Sequence, residues 1–155
     1  NTFNGFLINK NVKPVTSLPT MKKLSNYKFA DITYDYLNKM TNLCKENDIE
    51  LVLIKAPSVY PFWYEEYDKQ IEDYANENGL KFINFLDNVE EIGIDYTQDT
   101  YDSGLHLNLY GATKLSKYFA KILQNDFDLT DYRNNDEVNK LYQERLNEYH
   151  SEAGI

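Results

Sequence analysis

The run Ile49 to Ala56 (IELVLIKA), stopped by Pro57, is the feature that most narrows what this chain can become. A nearly continuous β-branched and aliphatic stretch of that length reads as a strand covered on both faces, the kind found in parallel sheets. A second run, Leu80 to Leu86 (LKFINFL), lies downstream, and between the two Phe62, Trp63, Tyr67, Ile71, Tyr74 and Ala75 recur at helical spacing. Parallel strands cannot be joined by a hairpin, so a helix between them is a requirement of the pairing. The pattern predicts parallel neighbours near 50–56 and 81–86, with a crossing helix that begins near Pro61 and ends at Gly79.

The remaining segments fall around this pair. Residues 1–28 read as an irregular arm holding Gly5, Pro14 and Pro19, with a short strand around Phe6 to Ile8. Residues 29–127 read as an α/β core that opens on a helix from about Phe29 to Asn47, whose Ile32, Tyr36, Leu37, Met40, Leu43 and Cys44 recur three and four apart and are expected to face inward. Cys44 is the single cysteine, so an internal disulfide is excluded and a small buried hydrophobe is expected there. Residues 128–155 read as a polar tail and a docking helix from about Glu137 to Tyr149, with His150 as a frayed end. A length of 155 residues suits one domain.

Charge excludes some partners. Lys and Arg total 16 against 25 Asp and Glu, a formal charge of −9, which repels phosphate backbones and anionic bilayers, so no nucleic acid is expected as a partner. No apolar run approaches the ~20 residues a membrane span needs, so no membrane contact is expected from this chain itself. The 14 tyrosines suit a polysaccharide-facing surface, but solvent-facing rings explain the same count without any ligand and are the preferred reading. Asp87, Glu90, Glu91, Asp95 and Asp99 read as a solvated acidic loop, because their spacing fits no calcium-binding loop; no metal is expected. Ser58 lies just past the C-terminal end of a strand, where open α/β sheets bind ligands. It lacks the Gly-x-Ser-x-Gly context of a nucleophile elbow and reads as a turn or capping residue.

The stretch Asp99 to Lys114 (DTYDSGLHLNLYGATK) carries the chemistry. Asn108 is a natural N-cap for a helix reaching about Gln124, along which Ala112, Leu115, Phe119, Ile122 and Leu123 repeat helically. His106 then stands at a loop-to-helix junction with Asp102 four residues upstream. An imidazole and a carboxylate so placed have the parts of a general base and of the group that fixes its tautomer and stabilises its protonated form.

The sequence from Asp102 through His106 and Asn108 to Gly111 (DSGLHLNLYG), followed by Ala112 and Lys114, resembles the last signature block of SGNH/GDSL-type hydrolases, particularly the bacterial envelope branch related to polysaccharide and teichoic-acid acyl transfer. The resemblance implies a three-layer, flavodoxin-like parallel sheet with flanking helices, here incomplete on its N-terminal side because only two strand runs are present. It implies the C-terminal part of a hydrolase or O-acyltransferase acting on ester-linked acyl groups of cell-envelope glycans. His106 would be the base, Asp102 its orienting acid, and no cofactor would be needed. An envelope polysaccharide or acyl ester would be the partner, and the location extracytoplasmic or in the envelope. Most family members place the Asp three residues before the His, where this chain has Ser103. Either the loop bulges by one residue to restore the contact, or Asp102 has another role. The chain has no Gly-Asp-Ser block, so the nucleophilic serine is expected upstream of these residues and the chain alone is expected to be inactive. Two other readings are a non-catalytic SGNH-like module that binds polysaccharide or protein, and an assembly module.

Overall fold

The computed structural model describes residues 7–155. Among them the element order is α1 (Asp31–Glu46), β1 (Val52–Lys55), α2 (Glu65–Asn78), β2 (Lys81–Asn84), α3 (Val89–Ile92), α4 (Leu109–Asp126) and α5 (Asp136–Ala153). The strands pair in parallel with Val52 opposite Lys81 and Lys55 opposite Asn84, and α2 lies between them in sequence, as the apolar runs predict.

The expected fold class is corrected. Helix accounts for 47% of the structure and strand for 7%, and the sheet has two strands. No three-layer, flavodoxin-like sheet exists among the described residues. The reason lies in the number of strand-forming runs: a layered sheet needs at least a third strand to bury the first two, and only two runs pair here. Ile54 in β1 is consequently 50% exposed, although its neighbours in sequence are strand-core types.

The chain divides into two compact units: Ser17–Glu90, and the arm up to Thr16 together with Glu91–Ile155. In the unit Ser17–Glu90, aromatic rings do much of the work of a core. Phe29 stacks on Tyr67 at 5.0 Å between centroids, Tyr27 meets Tyr64 edge-on at 5.1 Å, and Trp63 meets Tyr67 at 5.4 Å. Such pairs contribute about 0.5–1.5 kcal/mol each beyond their buried area. Gln70 ties the cluster to the backbone by accepting from the Phe29 N–H at 3.0 Å and donating to the Tyr27 carbonyl at 2.9 Å. The tyrosines in this cluster are structural, with Tyr64 donating to the Lys22 carbonyl and the buried Tyr74 donating to Asn38 Oδ1, both within 2.9 Å. Phe85 and Ala75 complete the buried set.

Two helices of this unit differ from expectation. The apolar stripe on α1 is split. Tyr34, Leu37 and Cys44 are half-buried and Thr41 is fully buried, whereas Ile32, Tyr36, Met40 and Leu43 are exposed, because the covered row is the one that meets α2, where Tyr34 and Thr41 contact Tyr74. Helix α2 begins at Glu65 rather than near Pro61, since Phe62, Trp63 and Tyr64 are drawn into the aromatic cluster and Tyr64 is extended. Glu65, Glu66 and Asp68 in the first turn suit the positive end of a helix. Gly79 closes it in the left-handed conformation at φ 66°, as its position predicts.

In the other unit the arm is ordered by backbone bonds. Lys13 N–H donates to the Thr100 carbonyl at 2.8 Å, Val15 N–H to Tyr96 at 3.0 Å and Leu109 N–H to Asn9 at 2.7 Å. The expected strand at Phe6 falls partly outside the described residues, and Leu7 and Ile8 are not in a strand. Helix α5 is capped by Asn135, which accepts from Val138 N–H at 3.0 Å, and it ends at Gly154. His150 is ordered in the last turn, its carbonyl accepting from both Gly154 and Ile155. No helix among the described residues is long and apolar enough to cross a membrane.

Candidate functional site

The loop before α4 decides whether Asp102 and His106 can act together. Ser103 and Gly104 both take positive φ, 63° and 98°, a region that a residue with a side chain enters at a cost. Two such residues in succession fold the chain back on itself. Asp102 Oδ1 then accepts from the Leu105 and His106 N–H groups at 3.1 and 2.8 Å. Its second oxygen lies 2.6 Å from His106 Nδ1. The left-handed pair turns the chain so that the carboxylate meets the ring across the four-residue spacing.

The electrostatics follow from these contacts. Partial burial pushes the Asp102 carboxyl up, but the hydrogen bonds from the His106 ring and N–H and from Leu105 N–H outweigh it, so the group stays below the ordinary carboxylate range. An ionised Asp102 accepts only, so the neutral imidazole carries its proton on Nδ1 and leaves the Nε2 lone pair available. Tyr101 stacks on the ring at 5.6 Å with planes 6° apart and limits its rotation. The histidine side chain is 59% exposed, and no described residue hydrogen-bonds Nε2. The arrangement can accept a proton from a group brought to Nε2 and hold the resulting imidazolium against a fixed anion.

The loop is held by what lies beneath it. Asn108 is 1% exposed and uses its full hydrogen-bonding capacity. Its Oδ1 caps α4 by accepting from Tyr110 and Gly111 N–H at 3.0 and 3.1 Å, while its amide donates to the Asn11 and Gln98 carbonyls at 3.1 and 2.7 Å. The residue expected as a helix cap thus also clamps the arm and the acidic segment. Thr100 and Leu107 form an antiparallel bridge that brackets the His106 loop. Ser103 N–H and the Thr100 hydroxyl both donate to the Lys13 carbonyl.

Asp99 corrects the reading of residues 87–101 as a uniformly solvated loop. It is buried, accepts from Asp95 N–H at 2.7 Å and pairs with Lys114 Nζ at 2.6 Å. Nothing in the local pattern separates Asp99 from Asp95, whose carboxylate faces solvent and accepts from Thr97. Lys114, fifteen positions on, holds the partner charge because α4 returns over the loop. Tyr101 is likewise not legible in the sequence as a site residue. Ser58, in the unit Ser17–Glu90, does not cap α2, whose N-cap is Tyr64. Its hydroxyl meets Lys55 Nζ at 2.8 Å. Among the described residues no group of three or more His, Cys, Asp or Glu side chains is placed to hold a metal ion.

Comparison with protein families and with curated proteins finds no match to this chain.

Proposed function

We propose that this chain carries the base and orienting acid of an acyl-transfer site for ester-linked acyl groups, as its likeness to SGNH/GDSL-type hydrolases of the bacterial envelope suggests, with glycan esters as substrate. The observation that supports this reading is the 2.6 Å contact between Asp102 Oδ2 and His106 Nδ1, made by a loop that places two left-handed residues in succession to reach it. His106 Nε2 takes the proton of an attacking hydroxyl and returns it to the leaving alkoxide, while Asp102 stabilises the imidazolium between the two steps. The nucleophilic serine of that chemistry belongs to a Gly-Asp-Ser block, which these residues lack.

The test compares steady-state p-nitrophenyl acetate hydrolysis by this chain and by a longer form carrying an upstream Gly-Asp-Ser block, each with and without His106→Ala. The chain alone stays at the buffer rate. The longer form turns over, and the substitution removes about 10²–10⁴-fold of its rate. A longer form whose turnover ignores His106→Ala overturns the reading. Inactivity of every form moves the assignment to a glycan- or protein-binding module.

A further inference from the structure

The C-terminal end of the parallel strands holds a second constellation, separate in chemistry from His106. Lys55 is the last residue of β1 and faces Asn84, the last residue of β2, across the pairing register. Pro57 is buried and turns the chain, so that Ser58 comes back onto Lys55. The Lys55 amine lies 2.8 Å from Ser58 Oγ and 2.7 Å from the Ala56 carbonyl, and sits over the Trp63 ring at 5.1 Å from its centroid. Asp68 on α2 fixes the surroundings by accepting from Trp63 Nε1 and from Asn84 Nδ2, both at 2.8 Å.

We propose that Ser58 is a nucleophile activated by Lys55, a reactive centre that takes acyl or phosphonyl groups from activated donors. A serine needs a base within hydrogen-bond reach, and lysine serves as that base in some hydrolases when it is neutral. Burial pushes the Lys55 amine below its ordinary value, against a smaller opposing pull from Asp68. Asp68 is the charged group that acts on the amine among the described residues, and β2 presents the uncharged Asn84 at the facing position. A neutral amine has one lone pair and two hydrogens. It can donate to the Ala56 carbonyl while accepting the Ser58 hydroxyl proton. In the acyl case Oγ bonds to the carbonyl carbon, its proton passes to Lys55, the ester C–O bond breaks, and the departing alkoxide takes the proton from the ammonium. The products are an acylated Ser58 and a free alcohol. One transfer per chain is expected, since the chemistry proposed extends to acylation of Ser58 and not to hydrolysis of the acyl group.

The competing account makes Lys55 an ammonium that only satisfies the end of the strand, and it leaves Ser58 with the reactivity of any surface serine. An alkyl fluorophosphonate separates the two, because the serine oxygen displaces fluoride to form a stable phosphonate ester without needing hydrolysis. Intact mass and peptide mapping are expected to show one adduct, on Ser58, absent in Ser58→Ala and unchanged in His106→Ala. Lys55→Arg keeps the charge and the hydrogen bonds but cannot act as a base at neutral pH, so labelling falls about a hundredfold or more. Asp68→Asn removes the anion that favours the protonated amine and keeps one of the two acceptor positions the carboxylate offers to Trp63 Nε1 and Asn84 Nδ2, so the rise of labelling with pH moves to lower pH. No adduct at Ser58 in the unsubstituted chain, or equal labelling in Lys55→Arg, overturns the proposal.

Discussion

Asn108→Ala lowers the unfolding free energy by about 3 kcal/mol, measured by urea denaturation. Loss of the cap on α4 costs about 1 kcal/mol. The carbonyls of Asn11 and Gln98 each lose the donor of a part-buried hydrogen bond, at about 1 kcal/mol apiece. Asn108→Asp separates these contributions. An aspartate caps a helix as well as asparagine does, so a purely capping role predicts little change. The structure predicts no rescue, because the carboxylate turns an oxygen toward two carbonyl oxygens where the amide donated. An Asn108→Asp chain as stable as the parent would show that the clamp on the arm carries no energy.

Gly111→Ala has the opposite sign from what helix propensity suggests. An alanine in the first turn of α4 should gain up to about 1 kcal/mol if space allowed. A Cβ at this position would stand 2.6 Å from the Asp99 carbonyl oxygen and 2.9 Å from Asp99 Cβ. Asp99 cannot yield easily, since its carboxylate is paired with Lys114 and its carbonyl accepts from Asn108 N–H. Overpacking against a fixed backbone costs about 1–3 kcal/mol, so a net loss of about 2 kcal/mol is expected, read as a lowered thermal midpoint. The loss should be accompanied by weakening of the Asp102–His106 contact, because Asp99 and Asn108 form the floor of that loop. An unchanged or raised midpoint would mean that α4 can slide away from Asp99.

What the sequence makes legible follows from the range of each signal. The strand pair, the cap at Asn108 and the stop at Gly79 rest on residues near one another in sequence, and the structure has all three. The layered sheet does not form, because the apolar run at β1 reports that a strand can be covered on both faces, and not that the chain supplies two covers. The stripe on α1 holds only in part: periodicity marks Ile32, Tyr36, Leu37, Met40, Leu43 and Cys44 as one apolar face, and of these only Leu37 and Cys44, which flank the buried Thr41, are half-buried. At the site, Asp102 and His106 are marked by their chemistry. Their contact depends on Ser103 adopting a left-handed conformation that its residue type does not announce. Nothing in the sequence pairs Asp99 with Lys114, because a buried aspartate and a solvated one look alike until the helix that carries the lysine is placed.

The oriented imidazole is the claim on which the functional reading depends, and its tautomer reports it directly. Long-range ¹⁵N–¹H correlation of His106, at a pH where the ring is neutral, should show the proton on Nδ1, held by Asp102 across 2.6 Å. Asp102→Asn should remove that preference while leaving the helix α4 signals in place. A neutral ring protonated on Nε2 in the unsubstituted chain, or an Nδ1 preference that survives Asp102→Asn, would contradict the account.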